Sequence, residues 1–417
     1  MLAALQREPA CITRVRSRMN TAPPPARGQT AMPPEPAPAA HDRKRAAWLL
    51  ALMVPLLAAV GPLLWLWQPV APMLWLPVLT LYGVVPLIDL FWGTETGNPP
   101  ESAVPALEAD PYYRRITVAL VPMLWAAFIG AAWFSQHAPL GWVELLGLVL
   151  ATGGLGGFCI NLGHELGHKR APLERWLAKL ILAPTAYGHF TVEHNRGHHR
   201  DVATPQDPAS ARMGESIWRF VLREMPGAAR RAWVLESARL RGEGRAFWSV
   251  HNELLQPAAV TLALWGGLCL WLGPAVLLFL LPVSLWANFQ LTSANYIEHY
   301  GLLRLRTANG QLEACQPRHS WNSNHRFSNW ATFHLQRHSD HHAHPLRRYQ
   351  ALRHFENLPT LPSGYFGMFL VAYVPPLWRY VMDERLLRTA GRDANRLNLD
   401  PRQREALIAR YGLTTAA

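Results

Sequence analysis

The chain is poor in charge and in cysteine for its length. Only 16% of its 417 residues are Asp, Glu, Lys or Arg, whereas half are hydrophobic. That balance argues against a wholly water-soluble protein and for a membrane one. The four cysteines, Cys11, Cys159, Cys269 and Cys315, are scattered and form no Cys-x-x-Cys pair, which excludes a zinc ribbon and a disulfide framework and leaves free thiols in a reducing compartment. No secretory leader is expected, because the first long apolar run begins near Ala46 and is too long for one. The net charge of +12 comes without a nucleic-acid reader motif. Its basic residues lie outside the apolar runs, which suits anionic headgroups or an acidic partner protein and not nucleic acid.

What is present falls into two materials. Residues 1–45, with "TAPPPARGQTAMPPEPAPAA", are rich in Pro, Ala and Arg and lack apolar periodicity, so they read as a disordered tail. Apolar runs follow at about 46–67, 71–92, 116–136, 141–162, 257–272 and 274–296. Each approaches the roughly 20 residues that a spanning helix needs. The expectation is therefore an all-α polytopic membrane protein of about six helices, with 46–400 as its domain and 401–417 as a C-terminal tail. Six spans place "DRKRAAW", "YYRR", "HKRAPLERW" and the Arg-rich stretches 212–245 and 303–353 on one side, and the positive-inside rule makes that side cytoplasmic.

Every histidine cluster falls on that side. "NLGHELGHK" places His164 and His168 at i and i+4, on one helix face, with Glu165 between them. The pattern is also His-Glu-x-x-His, the zinc protease signature. "EHNRGHHRD" follows an amphipathic stretch and carries His194, His198 and His199, two on one face and one on its flank. "HLQRHSDHHAH" has five histidines in residues 334–344. His338, His341 and His342 fit one helix, whereas His334 and His344 are the weaker candidates. "SANYIEHYG" adds Glu298 and His299 at the end of the sixth run.

Nine histidines exceed one catalytic zinc, which takes about three protein ligands, and suit two ions of about four or five ligands each. Imidazole ligands with open positions point to two non-heme irons that activate oxygen. Glu165, Glu193, Glu298 and Asp340 accompany the clusters; most are expected to accept the remote ring N–H of a ligand histidine, with Glu298 the best of them for direct ligation.

The motifs "HELGHK", "EHNRGHH", "NYIEHYG" and "LQRHSDHHA" resemble those of the membrane-bound alkane 1-monooxygenases, or alkane hydroxylases. These belong to the histidine-rich membrane di-iron superfamily that includes fatty acid desaturases. The resemblance covers roughly 45–400, extends through "GHHRDVATPQDPASARMGES", and "NYIEHYG" favours the hydroxylases. It implies hydroxylation of the terminal methyl of medium- to long-chain n-alkanes with O2 and two electrons, in the bacterial inner membrane. It also implies His164, His168, His194, His198, His199, His299, His338, His341 and His342 as iron ligands. Rubredoxin, reduced by a rubredoxin reductase, is the implied donor, and a separate one, because "RYGLTTAA" is reached without the Cys-x-x-Cys pairs of a fused rubredoxin domain. A related hydroxylase or desaturase acting on another hydrocarbon or acyl chain, an intramembrane zinc protease and a metal transporter or store are the competing expectations.

Overall fold

Six helices are long and apolar enough to cross a bilayer in the computed structural model, which describes Asp42 and Lys44–Thr415. They are Arg45–Trp67, Ala71–Trp92, Pro111–His137, Trp142–Gly167, Leu255–Leu272 and Pro274–His299, matching the six apolar runs in number and order. Most of the expected N-terminal tail lies outside the described residues. The described residues contain no β-strand, only isolated bridges such as Thr94 with His325.

The spans differ in how deeply they are enclosed, and this sets their roles. Leu262 and Leu270 of the fifth, and Leu278, Leu281 and Leu285 of the sixth, are exposed, an apolar surface that lipid and not water can cover. The fourth span is buried nearly all round from Gly147 to Leu166, and the C-terminal half of the sixth is likewise enclosed. These two helices pack against one another more extensively than any other pair. Small residues allow it: a Cβ on Gly156 would lie 2.7 Å from the Ala287 Cβ and 2.9 Å from a Thr185 methyl. Close approach of this kind replaces the hydrophobic driving force that helices lack inside lipid.

Outside the spans, the amphipathic helix Pro172–Leu182 buries Ala178, Ile181 and Leu182 and leaves Leu173 and Trp176 exposed. The long helix Ile217–Gly242 packs against the 190–201 segment and the sixth span. The C-terminal tail expected from 401 to 417 carries the helix Arg404–Tyr411, and Leu407 and Leu413 enter the same core as Tyr300 and Trp378. The Tyr411 hydroxyl donates to Asp383 at 2.6 Å, so this segment is bound by both apolar and polar contacts.

Candidate metal centre

The four histidine clusters, up to 178 positions apart in sequence, meet at one end of the span bundle. Their nitrogens fall into two sets. His164, His168, His194, His199 and His341 form one; His198, His299, His338 and His342 form the other. Within each set the potential ligand atoms lie within 4.8 Å of one another. Together these are the nine histidines singled out by the four motifs, and neither His334 nor His344 belongs to a set.

Helical geometry explains the partition. His164 and His168, one turn apart at the end of the fourth span, stay together, as do His338 and His342 on the short helix His338–Ala343. Consecutive residues are about 100° apart around an α-helix, so His341 turns away from His342 and joins the other set. The three histidines that fit one helix are thus divided between the two sets. The 190–201 segment is subtler. Residues His194–His198 form a π-helical turn in which the His199 N–H reaches the His194 carbonyl, and five-residue spacing then aligns side chains that an α-helix would separate. His194 and His199 face each other with Nε2 atoms 3.1 Å apart, and His198 swings into the four-histidine set.

The donor chemistry fits metal ions. Imidazole nitrogens about 2.1 Å from an ion lie up to about 4.2 Å apart, close to the observed spread. Nε2 of His164 is 2.9 Å from that of His341, and Nε2 of His342 is 2.9 Å from that of His338. Such pairs can share one proton at most. Nε2 of His168 and of His198 is buried without a hydrogen-bond partner among the described residues, a costly arrangement unless a cation takes that position. Burial, reinforced by neighbouring histidines, holds His168, His194, His199, His338, His341 and His342 well below the usual imidazole range. Metal ligation requires that neutral form.

The acids are arranged differently from expectation. Glu165 pairs with Lys169 at 2.9 Å, Glu193 accepts from Arg231 Nε at 2.9 Å, and Asp340 accepts from Arg347 at 2.9 Å and the Arg353 amide at 2.9 Å. Among the described residues none of these three touches a histidine of either set, and the histidine that Asp340 meets is His344, at 2.8 Å. They brace the elements that carry the histidines. Glu298, in contrast to these three, does approach the centre, with one oxygen 3.4 Å from His338 Nε2. Glu165 of the His-Glu-x-x-His pattern therefore faces a lysine and not a metal position, which removes the base that a zinc protease needs.

Two residues that the sequence reading passed over complete the surroundings. Asp207 accepts from His198 Nδ1 at 2.9 Å, and Ser210 Oγ and Arg231 Nη2 each donate to the same carboxylate at 2.7 Å. Burial alone would lower His198 and raise Asp207; their mutual attraction overrides it, lifting the imidazole and holding the carboxylate well below its usual range. The signal was present in "TPQDPAS", where Asp-Pro followed by Ser marks an Asp-led turn. Arg337, fully buried just before His338, donates to the carbonyls of Leu352 at 2.7 Å and Glu95 at 3.1 Å, tying the ligand helix to the loop after the second span.

A cavity of about 410 Å³ opens onto this centre, reached by His164, His194, His338 and Glu298. Its walls are almost wholly apolar: Met53, Leu57 and Val60 from the first span, Leu81 from the second, Gly154 and Phe158 from the fourth, and Leu291 from the sixth. Gly154 is ten residues before His164, about 15 Å along the helix. The cavity is therefore a long apolar slot ending at the histidines. A π-helical turn, Thr80–Val84, interrupts the α-helix of the second span where it lines the slot, just before Pro86 withholds a backbone donor.

The chain matches the fatty acid desaturase family model over residues 138–372. It is 50% identical to alkane 1-monooxygenase 1 of Alcanivorax borkumensis over 378 residues, covering 89% of this chain and 92% of that protein. It is 48% identical to the alkane 1-monooxygenase of Ectopseudomonas oleovorans over 382 residues, 91% of this chain and 95% of the relative. A more distant relative is the xylene/toluene monooxygenase hydroxylase component of Pseudomonas putida, at 28% over 271 residues, 64% of this chain and 70% of that one.

Proposed function

Since the chain belongs to the alkane 1-monooxygenases, within the fatty acid desaturase family, we propose that it converts the terminal methyl of medium- to long-chain n-alkanes to a primary alcohol through two irons, one in each histidine set. The observation that carries this reading is the apolar slot ending on both histidine sets. The balance is alkane, O2, two electrons and two protons to alcohol and water. Rubredoxin, kept reduced by its reductase, is the proposed electron source, and the bacterial inner membrane with the histidines toward the cytoplasm is the proposed setting. Residues 46–400 are the proposed hydroxylase domain.

The iron pair, when bound, supplies oxygen activation and C–H cleavage. The chain's own residues do the rest. The nine histidines hold the ions, and Glu298 lies close enough to the His338 ligand atom to serve as a tenth donor. An alkane has no polar handle, so orientation must come from shape. Phe158, Leu291 and the first-span residues leave room for a chain entering end-on, and they exclude water from the reacting methyl. Lipid is the substrate reservoir, because each methylene gains about 0.8 kcal/mol on leaving water.

The test is turnover of octane by the purified chain with rubredoxin, its reductase and NADH. The expected product is 1-octanol, with one O2 consumed per alcohol; 2-octanol, or O2 consumption uncoupled from product, contradicts the slot geometry. Chain-length selection gives a second expectation. Val60 lines the slot in the first span, so Val60→Trp should shorten it. A chain two methylenes too long for the shortened slot must overpack it, at about 1–3 kcal/mol, roughly tenfold in preference. Competition between dodecane and octane should shift by that factor toward octane, with octane turnover retained.

A further inference from the structure

The two histidine sets have unlike surroundings. Among the described residues, no carboxylate oxygen contacts a ring nitrogen of the five-histidine set. The four-histidine set has Asp207 on His198 Nδ1 at 2.9 Å and Glu298 3.4 Å from His338 Nε2. Asp207 is itself held from three further directions: Arg231 Nη2 donates to Oδ1 at 2.7 Å, the Ala209 amide donates to Oδ1 at 3.2 Å, and Ser210 Oγ donates to Oδ2 at 2.7 Å. Arg231 also donates to Glu193, beside His194. Its guanidinium crosses the π-helical turn at Gly197, where an added Cβ would lie 2.7 Å from Arg231 Nε. The glycine in "HNRGHH" leaves that space open.

We infer that Asp207, clamped by Arg231, is a positioning residue that locks the proton of His198 on Nδ1 and leaves Nε2 bare for metal, making the four-histidine set the tighter of the two metal positions. A carboxylate accepts only, so the nitrogen facing it must carry the proton. The other nitrogen of His198, buried and unpartnered, is the one directed into the set. Anionic oxygens near one set and not the other also favour a cation there first. The inference rests on the two-metal reading above.

Asp207→Asn tests the tautomer directly. Arg231 and the Ala209 amide both donate to Oδ1, so the new amide must keep its oxygen there and turn its NH2 toward His198 and Ser210. That NH2 donates to Nδ1 and drives the histidine proton onto Nε2, where metal should bind. Asp207→Ala, although it changes shape more, leaves both tautomers open. The readout is iron retained by the purified full-length chain during a graded EDTA challenge.

Wild type should release its two irons in two separate steps. Asp207→Asn should weaken the more tightly held iron by roughly 10–100-fold and leave the other unchanged, and Asp207→Ala should weaken it less. Asp400→Asn is the control, an equally buried acid that is paired with an arginine, Arg219 at 2.9 Å, and touches no histidine of either set. Asp207→Asn retaining both irons like wild type overturns the inference. So does equal loss in Asp400→Asn, or greater loss in Asp207→Ala than in Asp207→Asn. If Asp207→Ala does not fold, the comparison with Asp400→Asn decides. A wild-type chain that binds no iron contradicts the two-metal reading itself and is distinguishable from all of these.

Discussion

His338→Ala should abolish alkane hydroxylation and cost the protein one of its two metal ions, whereas His334→Ala should keep both. The residues are four apart in one histidine-rich stretch, and both are buried. His338 Nε2 lies 3.2 Å from that of His299 and 2.9 Å from that of His342, inside the four-histidine set. His334 instead places Nδ1 3.1 Å from the Tyr349 carbonyl and packs edge-on against Trp48. Loss of a ligand from a set of four should exceed the roughly 10–100-fold effect of removing an outer partner. His341→Ala provides the complementary case: three positions along the same helix, it should empty the five-histidine set and spare the other. Metal counts and alcohol formation on the same preparations check both statements; full activity and two metals in His338→Ala would remove the basis of the two-set arrangement.

The second large effect lies far from the histidines. Gly156→Val should prevent assembly of the metal-binding fold, because the added Cβ alone would stand 2.7 Å from the Ala287 Cβ, and neither atom has a flexible side chain with which to yield. Overpacking a core ordinarily costs about 1–3 kcal/mol through local adjustment. Here relief requires two spans to separate, and those spans end in His164 and in Glu298 and His299. The cost is therefore expressed as displaced ligands as well as lost packing. Gly266→Ala in the fifth span is the matched control, with open space around its Cβ position; it should be neutral or stabilising by up to about 1 kcal/mol. Size-exclusion behaviour and metal retention in detergent distinguish the outcomes: wild-type-like elution and iron content in Gly156→Val would contradict the packing argument.

Much of this was legible before the fold was known, for identifiable reasons. Spanning segments announce themselves by length and hydropathy, so all six helices could be placed to within a few residues at most ends. The nine histidines were legible because helical spacing and motif order point to one centre. How they divide was not. The division depends on a π-helical turn at His194–His198, and no residue pattern there distinguishes a π turn from an α turn. The acids failed for a related reason. Proximity in sequence suggested Glu165, Glu193 and Asp340 as partners of neighbouring histidines, yet each turns to a cation, Lys169, Arg231 or Arg347, supplied by tertiary or helical contact. The acid that does meet a histidine of the centre, Asp207, is nine residues from His198 and reaches it through a turn.

If one apolar slot serves two separate metal positions, the purified chain holds two irons, and metal analysis with Mössbauer spectroscopy counts and distinguishes them. Two irons per chain are expected, with His338→Ala and His341→Ala each reducing the count and removing different spectral components. One zinc per chain, or an iron count untouched by both substitutions, would rule out the two positions.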